Sequence, residues 1–572
     1  MSTTNPPVSQ FNGAGLRAGI RNRQLPHYPT NKLRISQLVL VVVITVTLYY
    51  QLYVNGSVST LLLPDLGMSF QFFVVTLAVG NLLGAFGSLA AGLADRIGRT
   101  QLVVGGLLIT SILTAFVIPA TTSKWPFTIV SFIVAIIEGM VLVASPALVR
   151  DFSPQVGRAT AMGFWTMGPV LGSLAVSVVA TNTIKAHTGW QTEYRISGIV
   201  GLLVFIAAFL FLRELAPGIR DQLMVSERDR ILVEAKARGI DVEQSIKHPF
   251  RQLLKPDIIL SAVAVSVLLL VYYTSVGFGT ILYQTIFGFS LKDANGLANW
   301  NWSADAIALV VVGVLSDRLR VRKPFMLVGG IGTAVMLVVF LTQLGKNPSY
   351  HTLALIISIL TVFLAFAYCP WMASFTETVE DRNPALAATG LAIWAWLQRL
   401  IVFGSFMMLP VIVSSMTPLV TYGAQVSTLS TQYKPELATA SLIQPATLAK
   451  LSNPTDTAAQ AAAVGQIATA AKIPPAQAIA RLTALGKVPP ADLAYLQKHG
   501  ADVQKAAKDS PAQWKSWYWV CFGAAIFFLL CIPLLRGRWS PAAAKRDIQA
   551  HEAQVEAEID QLARVTDEGI RS

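Results

Sequence analysis

The sequence predicts an all-α polytopic membrane protein, in which twelve transmembrane helices form two pseudo-symmetric six-helix bundles. Three observations predict this fold class. Charged residues make up only 13% of the 572 residues, about half the usual share of a soluble domain. Apolar runs of roughly 20 residues, each long enough to cross a bilayer as a helix, recur along the chain. A short Asp-Arg segment also occurs twice, at Asp95-Arg96 and Asp317-Arg318.

The apolar runs define the twelve predicted spans in order. The first six lie near 36–56, 68–91, 101–120, 126–148, 160–181 and 196–213, and the second six lie near 256–283, 294–314, 324–344, 352–375, 386–414 and 516–536. An even number of spans places both termini on the same side of the membrane. Because basic residues gather in the loops on that side, the positive-inside rule makes it the cytoplasm. We therefore expect an integral protein of the plasma (inner) membrane with both termini cytoplasmic.

The segments outside the spans divide the chain further. We expect a disordered cytoplasmic arm at 1–35, a first bundle at 36–213, a cytoplasmic linker at 214–255, helices 7–11 at 256–414, helix 12 at 516–536 and a cytoplasmic tail at 537–572. Residues 415–515 separate the last two spans and form an extracytoplasmic insert. Proline and glycine punctuation predicts short helices there at 475–485 and 490–498, closed by Gly486 and Gly500. This insert could act as a spacer, a lid or the docking site of an external partner.

Several classes of protein are excluded by composition and motif content. The net charge of +13 resides mainly in the predicted cytoplasmic loops, which argues against nucleic-acid binding. The three cysteines, Cys369, Cys521 and Cys531, fall inside predicted spans without metal-ligand spacing. No phosphate-binding loop of the ATPase type is present, and no constellation of catalytic side chains stands out. We therefore expect neither an enzyme nor a metal or cofactor.

Sequence offsets between the two halves indicate an internal duplication. Asp95 and Asp317 differ by 317 − 95 = 222 positions, and Tyr49 and Tyr272 differ by 272 − 49 = 223. Gly56 and Gly279 keep the second offset, since 279 − 56 = 223. Agreement at several sites over half the chain predicts two halves with the same helix order.

The duplicated segment carries a family resemblance. Residues 91–99 resemble motif A of the major facilitator superfamily, with Ala91 and Thr100 departing from the pattern, and the second copy has Arg320 in a glycine position. The resemblance implies that the motif latches the cytoplasmic side by placing its aspartate at a helix N-terminus of the other half. The alternative is that these basic loops only set the topology. The residues concerned are Asp95, Arg96, Gly98, Arg99, Gly313, Asp317 and Arg318.

A second segment resembles motif C of the same family, which is frequent in exporters that exchange a solute for protons. Gly168, Pro169 and Gly172 in span 5 match it, whereas Phe164 and Ser173 depart from it. The structural alternative is a bendable helix that packs closely against a neighbour.

Three ionisable residues lie in the middle of predicted spans. Glu138, Asp305 and Arg399 fall in spans 4, 8 and 11, which the resemblance places around a central cavity. A charge at the bilayer centre costs about 2.5–3.5 kcal/mol, so such residues face a cavity or a partner. Arg399 suits a carboxylate or phosphate, and either acid suits a proton. The alternative is that Asp305 and Arg399 form a structural ion pair.

Polar and aromatic residues accompany these charges. Asn301 precedes Asp305 by one turn and lies on the same helix face, and Trp396 precedes Arg399 by nearly one turn. Tyr49 and Tyr53 share one face of span 1, and the repeat-related positions in span 7 are Tyr272 and Tyr273. Such rings could surround a ring-bearing or amphipathic solute.

These observations predict a secondary active transporter that works by alternating access and is coupled to protons. Its partners would be the lipid bilayer, a small organic solute and a proton. Arg399 favours an anionic or zwitterionic solute, whereas the segment at Gly168 favours export of drugs or amphipathic metabolites by proton antiport. A third hypothesis is a non-transporting membrane sensor or scaffold that keeps the transporter fold and signals through its insert or tail.

Overall fold

The computed structural model describes residues 23–25, 27–89, 98–152, 165–184, 189–216, 253–319, 321–382, 387–451 and 456–535, with a few residues between 539 and 553. Ten helices in this part of the chain are long and apolar enough to cross a membrane. Two further helices lie at the positions of predicted spans 5 and 8, so all twelve predicted spans have a helix. The duplicated-motif residues Asp95 and Arg96, most of the linker and most of the tail lie outside the described residues.

Six helices build the first half. They are α1 (Asn31–Asp65), α2 (Phe70–Leu89), α3 (Arg99–Ile112), α4 (Lys124–Phe152), α5 (Gly168–Thr183) and α6 (Gln191–Phe211). A wider π-helical turn, Leu113–Val117, extends α3. This turn accommodates a close approach of α6, because a Cβ on Gly198 would lie 2.3 Å from the Ala115 backbone nitrogen.

The second half repeats the pattern. Its helices are α7 (Pro256–Leu268), α8 (Leu270–Phe287), α9 (Leu291–Leu319), α10 (Lys323–Leu341), α11 (Tyr350–Arg382) and α12 (Ala387–Ile412), and α18 (Pro490–Cys531) supplies the last span. Helices α7 and α8 together form predicted span 7, interrupted at Leu269.

The two halves meet through three helix pairs. Helix α2 packs against α12, α5 against α9, and α1 against α8. These pairs correspond to predicted spans 2 and 11, 5 and 8, and 1 and 7. The internal duplication maps the pair of spans 2 and 11 onto the pair of spans 5 and 8, and it maps the pair of spans 1 and 7 onto itself. The α1–α8 contact requires a glycine, since a Cβ on Gly56 would lie 2.3 Å from the carbonyl oxygen of Val276.

Contacts between the halves close one end of the molecule. We call this end the appendage face, because it carries residues 416–514, and the opposite end the terminal face. Three hydrogen bonds join the halves near the appendage face: Gln284 to Thr60 (2.9 Å), Asn295 to the Ser57 carbonyl (3.1 Å) and Asn299 to Thr181 (3.1 Å). Phe278 also packs edge-on against Phe70 and Phe73 across the same junction. The appendage face is therefore sealed.

A short strand pair corrects the prediction of a disordered arm for its described part, residues 23–25 and 27–35. Gln24–Leu25 pairs in parallel with Glu214–Leu215, and α1 begins at Asn31. The Arg23 guanidinium lies 4.6 Å from the centre of the Phe209 ring. This part of the arm is thus fastened to the end of α6, because backbone hydrogen bonds and ring contacts offset its ordering entropy.

The insert is built differently from the predicted separate unit. Helix α13 (Met416–Gln432) extends the chain after α12, and α18 runs without a break from Pro490 into the last span. The prediction that a helix ends at Gly500 is wrong. A glycine inside a helix costs about 1 kcal/mol, and the packing of α13 against α18 offsets that cost.

Side chains join α13 and α18 along their length. Tyr422 stacks on His499 with ring centres 3.9 Å apart, and Tyr433 donates to the Asp492 carboxylate at 2.9 Å. This hydrogen bond raises the pKa of the Tyr433 hydroxyl, because the donated proton is held by the carboxylate. The two helices form a paired stalk outside the bundle.

The tip of the stalk has its own small core. It consists of α14 (Lys434–Ala440), α15 (Pro445–Lys450), α16 (Thr457–Ala471) and α17 (Pro475–Gly486), and the last matches its predicted bounds. Ile443, Ala463, Ile467, Ala478 and Leu485 form an apolar cluster that is separate from the cores of the bundle. The tip therefore packs on itself.

Deletion of this tip should leave the bundle intact. Replacing residues 435–489 by a short Gly/Ser linker should be sterically feasible because Tyr433 and Asp492 already touch. We expect the melting temperature of the purified protein to change by less than about 3 °C, since less than about 1 kcal/mol of bundle packing is lost. A longer deletion that also removes α13 should destabilise the protein, because α13 covers part of α18. Equal loss of folding in both deletions would contradict a self-contained tip.

Candidate functional site

Arg399 lies at the junction of the two halves. A Cβ on Gly84 of α2 would be 3.2 Å from a guanidinium nitrogen of Arg399, so the side chain of α12 reaches the backbone of the first half. Helix α2 can approach this closely because its residues 84 and 87 are glycines that pack on the α4 backbone. Within the described residues, no carboxylate forms an ion pair with Arg399.

Tyrosines from both halves surround this guanidinium. The electrostatic neighbours of Arg399 include the hydroxyls of Tyr49 and Tyr273. The ring centres of Tyr49 and Tyr53 are 5.5 Å apart, and those of Tyr272 and Tyr273 are 5.1 Å apart. The repeat-related tyrosine pairs predicted from the sequence therefore come together across the junction of α1 and α8.

One electrostatic contact links these tyrosines to each other, and one hydrogen bond links them to α12. The hydroxyls of Tyr53 and Tyr272 are adjacent. Gln398, next to Arg399 in the chain, donates its amide N–H to the Tyr273 hydroxyl. These contacts orient the rings from two helices toward one polar centre.

Glu138 lies in the middle of α4, on the first-half side of the junction. Its residue surface is only 2% exposed, and neither carboxylate oxygen has a hydrogen-bond partner among the described residues. The carboxylate is within electrostatic reach of Tyr49, which also interacts with Arg399. The next residue, Gly139, packs directly on the Gly84 backbone. Glu138 is therefore buried beside the Arg399 site without a fixed partner.

Asp305 occupies a separate position inside the second half. It is 5% exposed and interacts electrostatically with Tyr272 and Tyr368. No ion pair joins it to Arg399 in the described part of the chain, so the alternative of a structural Asp305–Arg399 pair is wrong. The reason is geometric, because Arg399 extends toward α2 in the other half.

Asn301 lines a small cavity within the second half. The cavity has a volume of about 30 Å³, room for one or two water molecules. Its polar lining includes Tyr272, Ser275 and Thr361. Asn301 is thus near Asp305 and shares Tyr272 with the central site, but it lies in a compartment of its own. Trp396 packs edge-on against Phe86, with ring centres 5.7 Å apart, and joins α12 to α2.

The glycines of the motif C-like segment set the position of Tyr49. A Cβ on Gly172 would lie 2.5 Å from the Tyr49 Cβ and 3.0 Å from the backbone nitrogen of Tyr50. A Cβ on Gly168 would lie 2.6 Å from Thr45. Pro169 lies in the first turn of α5. A backbone N–H there has no partner within the helix, so the missing N–H of proline costs no hydrogen bond. The structural alternative for this motif, close packing of α5 on α1, is what the geometry shows.

Substitution of Gly172 by alanine should therefore be costly. The added methyl meets backbone atoms that cannot rotate away, so we expect a loss of about 1–3 kcal/mol of stability from overpacking. The matched control is Gly404→Ala in α12, because a Cβ there meets nothing within 4 Å and alanine favours a helix. Thermal unfolding of the two purified variants checks this. A Gly172→Ala protein as stable as Gly404→Ala would contradict the packing argument.

The first copy of motif A is held by residues that the sequence analysis did not select. Gly98 has a φ of +105°, which favours glycine, and precedes α3. Glu214 accepts a hydrogen bond from the Thr100 backbone N–H at 3.3 Å and so caps α3. Arg99 forms a bidentate ion pair with Asp151 at the end of α4, at 2.9 Å. These contacts stay within the first half.

The second copy is also engaged within its own half. Arg322 binds the Asp317 carboxylate at 2.6 Å and the Glu377 carboxylate at 3.2 Å. The Asp317 side chain is 72% exposed at the terminal face, and Arg318 is exposed beside it. A Cβ on Gly313 would lie 3.5 Å from the Cys369 sulfur, an ordinary van der Waals contact. The latch therefore stays a prediction for a conformation in which the terminal face is closed.

Two further aromatic residues belong to the site and were missed from the sequence. Tyr368 in α11 interacts electrostatically with Tyr49, Tyr273 and Asp305. Trp394 in α12 packs at 6.4 Å from Tyr368 and keeps its buried indole N–H without a described partner. Tyr368 sits in an unbroken apolar run, so no local signal distinguishes it from packing. In the described residues, no cluster of side chains could hold a metal ion.

The chain is similar to known transport proteins in sequence. A family profile described as Major Facilitator Superfamily matches residues 38–405. The cis,cis-muconate transport protein of Acinetobacter baylyi is 22% identical over 329 residues, covering 57% of this chain and 73% of that protein. The probable anion transporter 2, chloroplastic, of Oryza sativa subsp. japonica is 25% identical over 317 residues, covering 53% and 57% respectively. The efflux pump radE of Floropilus chiversii is 27% identical over 154 residues, covering 25% and 28%.

Solved structures share the fold. A bacterial homologue of the human lysosomal transporter Spinster, inward-facing and unoccupied, superposes with a TM-score of 0.58 at 16% identity, covering 88% of this chain and 98% of that one. A D-xylose–proton symporter gives a TM-score of 0.51 at 18% identity, covering 65% and 90%. These likenesses confirm the predicted arrangement of two six-helix halves.

Proposed function

The chain belongs to the Major Facilitator Superfamily, and from this premise we propose that it carries a small organic anion across the membrane, coupled to protons. Family membership confirms the prediction of a membrane transporter rather than an enzyme. The nature of the solute and of its coupling is inferred from the site.

One observation carries the proposal of an anionic solute. The Arg399 guanidinium stands at the junction of the halves, against Gly84, with no ion-pair partner in the described part of the chain. An unpaired guanidinium at mid-membrane depth is costly and needs a counter-charge or a polar cavity. A carboxylate of the solute would supply two parallel hydrogen bonds to its planar fork.

The tyrosines indicate which class of anion the site would bind. Tyr49, Tyr53, Tyr272 and Tyr273 present flat apolar faces beside one positive charge. Such a site favours a carboxylate attached to a planar unsaturated or aromatic skeleton. Similarity to a cis,cis-muconate transport protein and to a probable anion transporter supports the same class.

Glu138 is the proposed proton carrier. A charged carboxylate buried without hydrogen bonds is expensive, whereas its neutral form is much less so. When Glu138 is charged, it would compete with the solute anion for Arg399 through their shared neighbour Tyr49. Protonation of Glu138 would remove that competition, so binding of the anion and binding of a proton would favour each other.

The conformation is consistent with alternating access. The appendage face is sealed by hydrogen bonds between the halves, among them Gln284 to Thr60. We take the terminal face as cytoplasmic on the basis of its basic loops. Under that orientation the structure is closed toward the outside, and the alternate state would form when this seal opens and the terminal face closes.

A proton antiporter that exports amphipathic solutes is the second candidate. It is favoured by the resemblance of the segment at Gly168 and Gly172 to a motif that is frequent in exporters, and by the local similarity to an efflux pump. In both candidates the same Arg399 site binds the solute. A symporter requires that the proton and the solute bind together, whereas an antiporter requires that they bind in alternation.

Binding and flux measurements separate these functions. Purified protein is first screened by thermal shift with cis,cis-muconate, benzoate, inorganic phosphate and a cationic dye. Uptake of radiolabelled cis,cis-muconate into proteoliposomes is then measured with and without a pH gradient. We expect stabilisation by the organic carboxylates and gradient-driven accumulation. Stabilisation by the cationic dye alone would contradict an anion transporter, and accumulation with the opposite gradient would favour the antiporter.

A further inference from the structure

Four residues inside the first half carry buried polar atoms that have no hydrogen-bond partner among the described residues. They are the Tyr50 hydroxyl, the Gln51 carbonyl oxygen, the Thr114 hydroxyl and both oxygens of Glu138, with residue exposures of 4%, 3%, 1% and 2%. Buried polar atoms nearly always have a hydrogen-bond partner, and leaving one unpaired costs about 1–3 kcal/mol. A group of them in one region is characteristic of a site for ordered water.

The same region contains hydrogen bonds that cross between helices. The Gln51 amide N–H group donates to the Ser111 hydroxyl at 2.9 Å and to the Ser197 carbonyl at 3.4 Å. Gly201 makes room for this amide, because a Cβ there would lie 2.0 Å from its nitrogen. Helices α1, α3 and α6 therefore share a polar interior rather than an apolar one.

This polar interior joins two acidic residues at different depths. Tyr194 of α6 interacts electrostatically with Glu138 in mid-membrane. Tyr50 of α1 interacts electrostatically with Glu193, which lies in the first turn of α6 near the appendage face. Glu193 is 2% exposed and accepts a hydrogen bond from the Thr183 hydroxyl of α5.

Other charged groups near Glu193 in the described elements are few. Asp65, at the end of α1, accepts hydrogen bonds from Trp190 and Gln191, immediately before Glu193. Arg195 points outward and is exposed. Glu193 thus has a hydroxyl partner on α5 and an acid nearby on α1. Hydroxyl groups and an amide lie deeper in the first half.

We propose that Glu193 is the entry point of a proton relay inside the first half, which delivers protons from the appendage face to Glu138 through the Tyr50 and Thr114 hydroxyls and intervening water, while the Gln51 amide only hydrogen-bonds to this chain. The proposal rests on the proposed role of Glu138 as proton carrier. It explains how Glu138 could exchange protons with the appendage face while the junction between the halves is sealed. Because Glu138 is itself buried in this conformation, the relay ends at a closed site and gives no continuous leak across the membrane.

The proton balance of the relay is simple. An O–H bond of the Glu193 carboxylic acid breaks as a hydroxyl or water oxygen next in the chain gains that proton. Each following hydroxyl or water oxygen gains one proton and releases another, and the last O–H bond forms on the Glu138 carboxylate. Glu193 regains a proton from water at the appendage face, so one proton moves inward and no group is oxidised or reduced.

Time-resolved infrared spectroscopy tests the relay without a solute. The protein is reconstituted with the appendage face outward, and the external pH is lowered abruptly. The carboxylic C=O band that disappears in Glu138→Gln reports protonation of Glu138. In Glu193→Gln we expect that protonation to slow by roughly tenfold, less than the about 100-fold or more contributed by a direct proton donor, because water can partly replace the relay. Tyr50→Phe should slow it as well.

Two variants separate a relay from a structural role. Thr183→Val removes the hydrogen bond to Glu193 but keeps its carboxyl, so protonation of Glu138 should keep its normal rate. Glu193→Asp keeps a carboxyl and should restore most of the rate lost in Glu193→Gln.

Three results would overturn the inference. They are an unchanged rate in Glu193→Gln, a Thr183→Val protein as slow as Glu193→Gln, and a Glu193→Asp protein that stays slow. Failure of the proposed function would look different, because Glu138 would then show no titrating band in the wild-type protein.

Discussion

Glu138→Gln is expected to abolish proton-driven accumulation of the solute. Glutamine keeps the shape of the side chain but cannot carry a proton, so the pH gradient should no longer drive transport. We expect gradient-driven uptake of cis,cis-muconate into proteoliposomes to fall at least about 100-fold, the range of a directly acting proton-transfer group. Solute exchange without a gradient, which needs no net proton movement, should persist.

The comparison variant for this test is Asp305→Asn. Asp305 is also buried in mid-span, but it lies inside the second half and forms no ion pair with Arg399 among the described residues. We therefore expect a smaller loss of coupled uptake in Asp305→Asn than in Glu138→Gln. If both variants concentrate the solute as well as the wild type, proton coupling through these acids is wrong.

Arg399→Ala is expected to produce the largest loss of solute affinity. Removing one partner of a desolvated charged hydrogen-bonded pair costs about 2–5 kcal/mol, which is roughly 30-fold to several thousand-fold in Kd. Arg399→Lys should lose less, because the charge remains while the planar fork is lost. Calorimetric titration of purified variants with cis,cis-muconate measures both effects. Arg481→Ala at the exposed appendage tip removes the same charge far from the site and is the matched control.

A double-mutant cycle with Asp305 checks the geometry behind this expectation. The structure contains no Arg399–Asp305 ion pair in its described part, so Asp305→Asn should recover neither the affinity nor the stability of Arg399→Ala. Breaking a buried ion pair would instead cost about 3–5 kcal/mol of stability, which removal of the second charge would restore. Full recovery of stability with unaltered affinity would show that Arg399 serves Asp305 rather than the solute.

The helices and their duplication were predictable from the sequence for a physical reason. Transfer of an apolar run into a bilayer depends on the composition of that run alone, so spans such as 324–344 could be placed within a few residues of α10. The mid-span charges were detectable on the same basis, because each is costly wherever its neighbours lie. The offset of 223 between Tyr49 and Tyr272 likewise needs no knowledge of contacts.

Proline and glycine positions predicted the helix ends in the appendage less reliably. Proline correctly marked the start of α17 and α18. Gly500 did not end a helix, because packing of α13 along α18 outweighs a penalty of about 1 kcal/mol. Whether such a helix stops or continues is decided by a partner that is distant in sequence.

The sequence by itself determined the membrane class, the two homologous halves and the three ionisable residues that must face something polar. Only the tertiary structure decided what each one faces. Arg399 reaches Gly84 in the other half, and among the described residues Asp305 forms no ion pair with it and the Glu138 carboxylate has no hydrogen-bond partner. The polar groups between Glu138 and Glu193 were also invisible in the sequence, since each is an ordinary residue on a different helix. The physical reason is that hydropathy is a property of one helix, whereas hydrogen bonds and ion pairs depend on how helices are rotated and packed against one another.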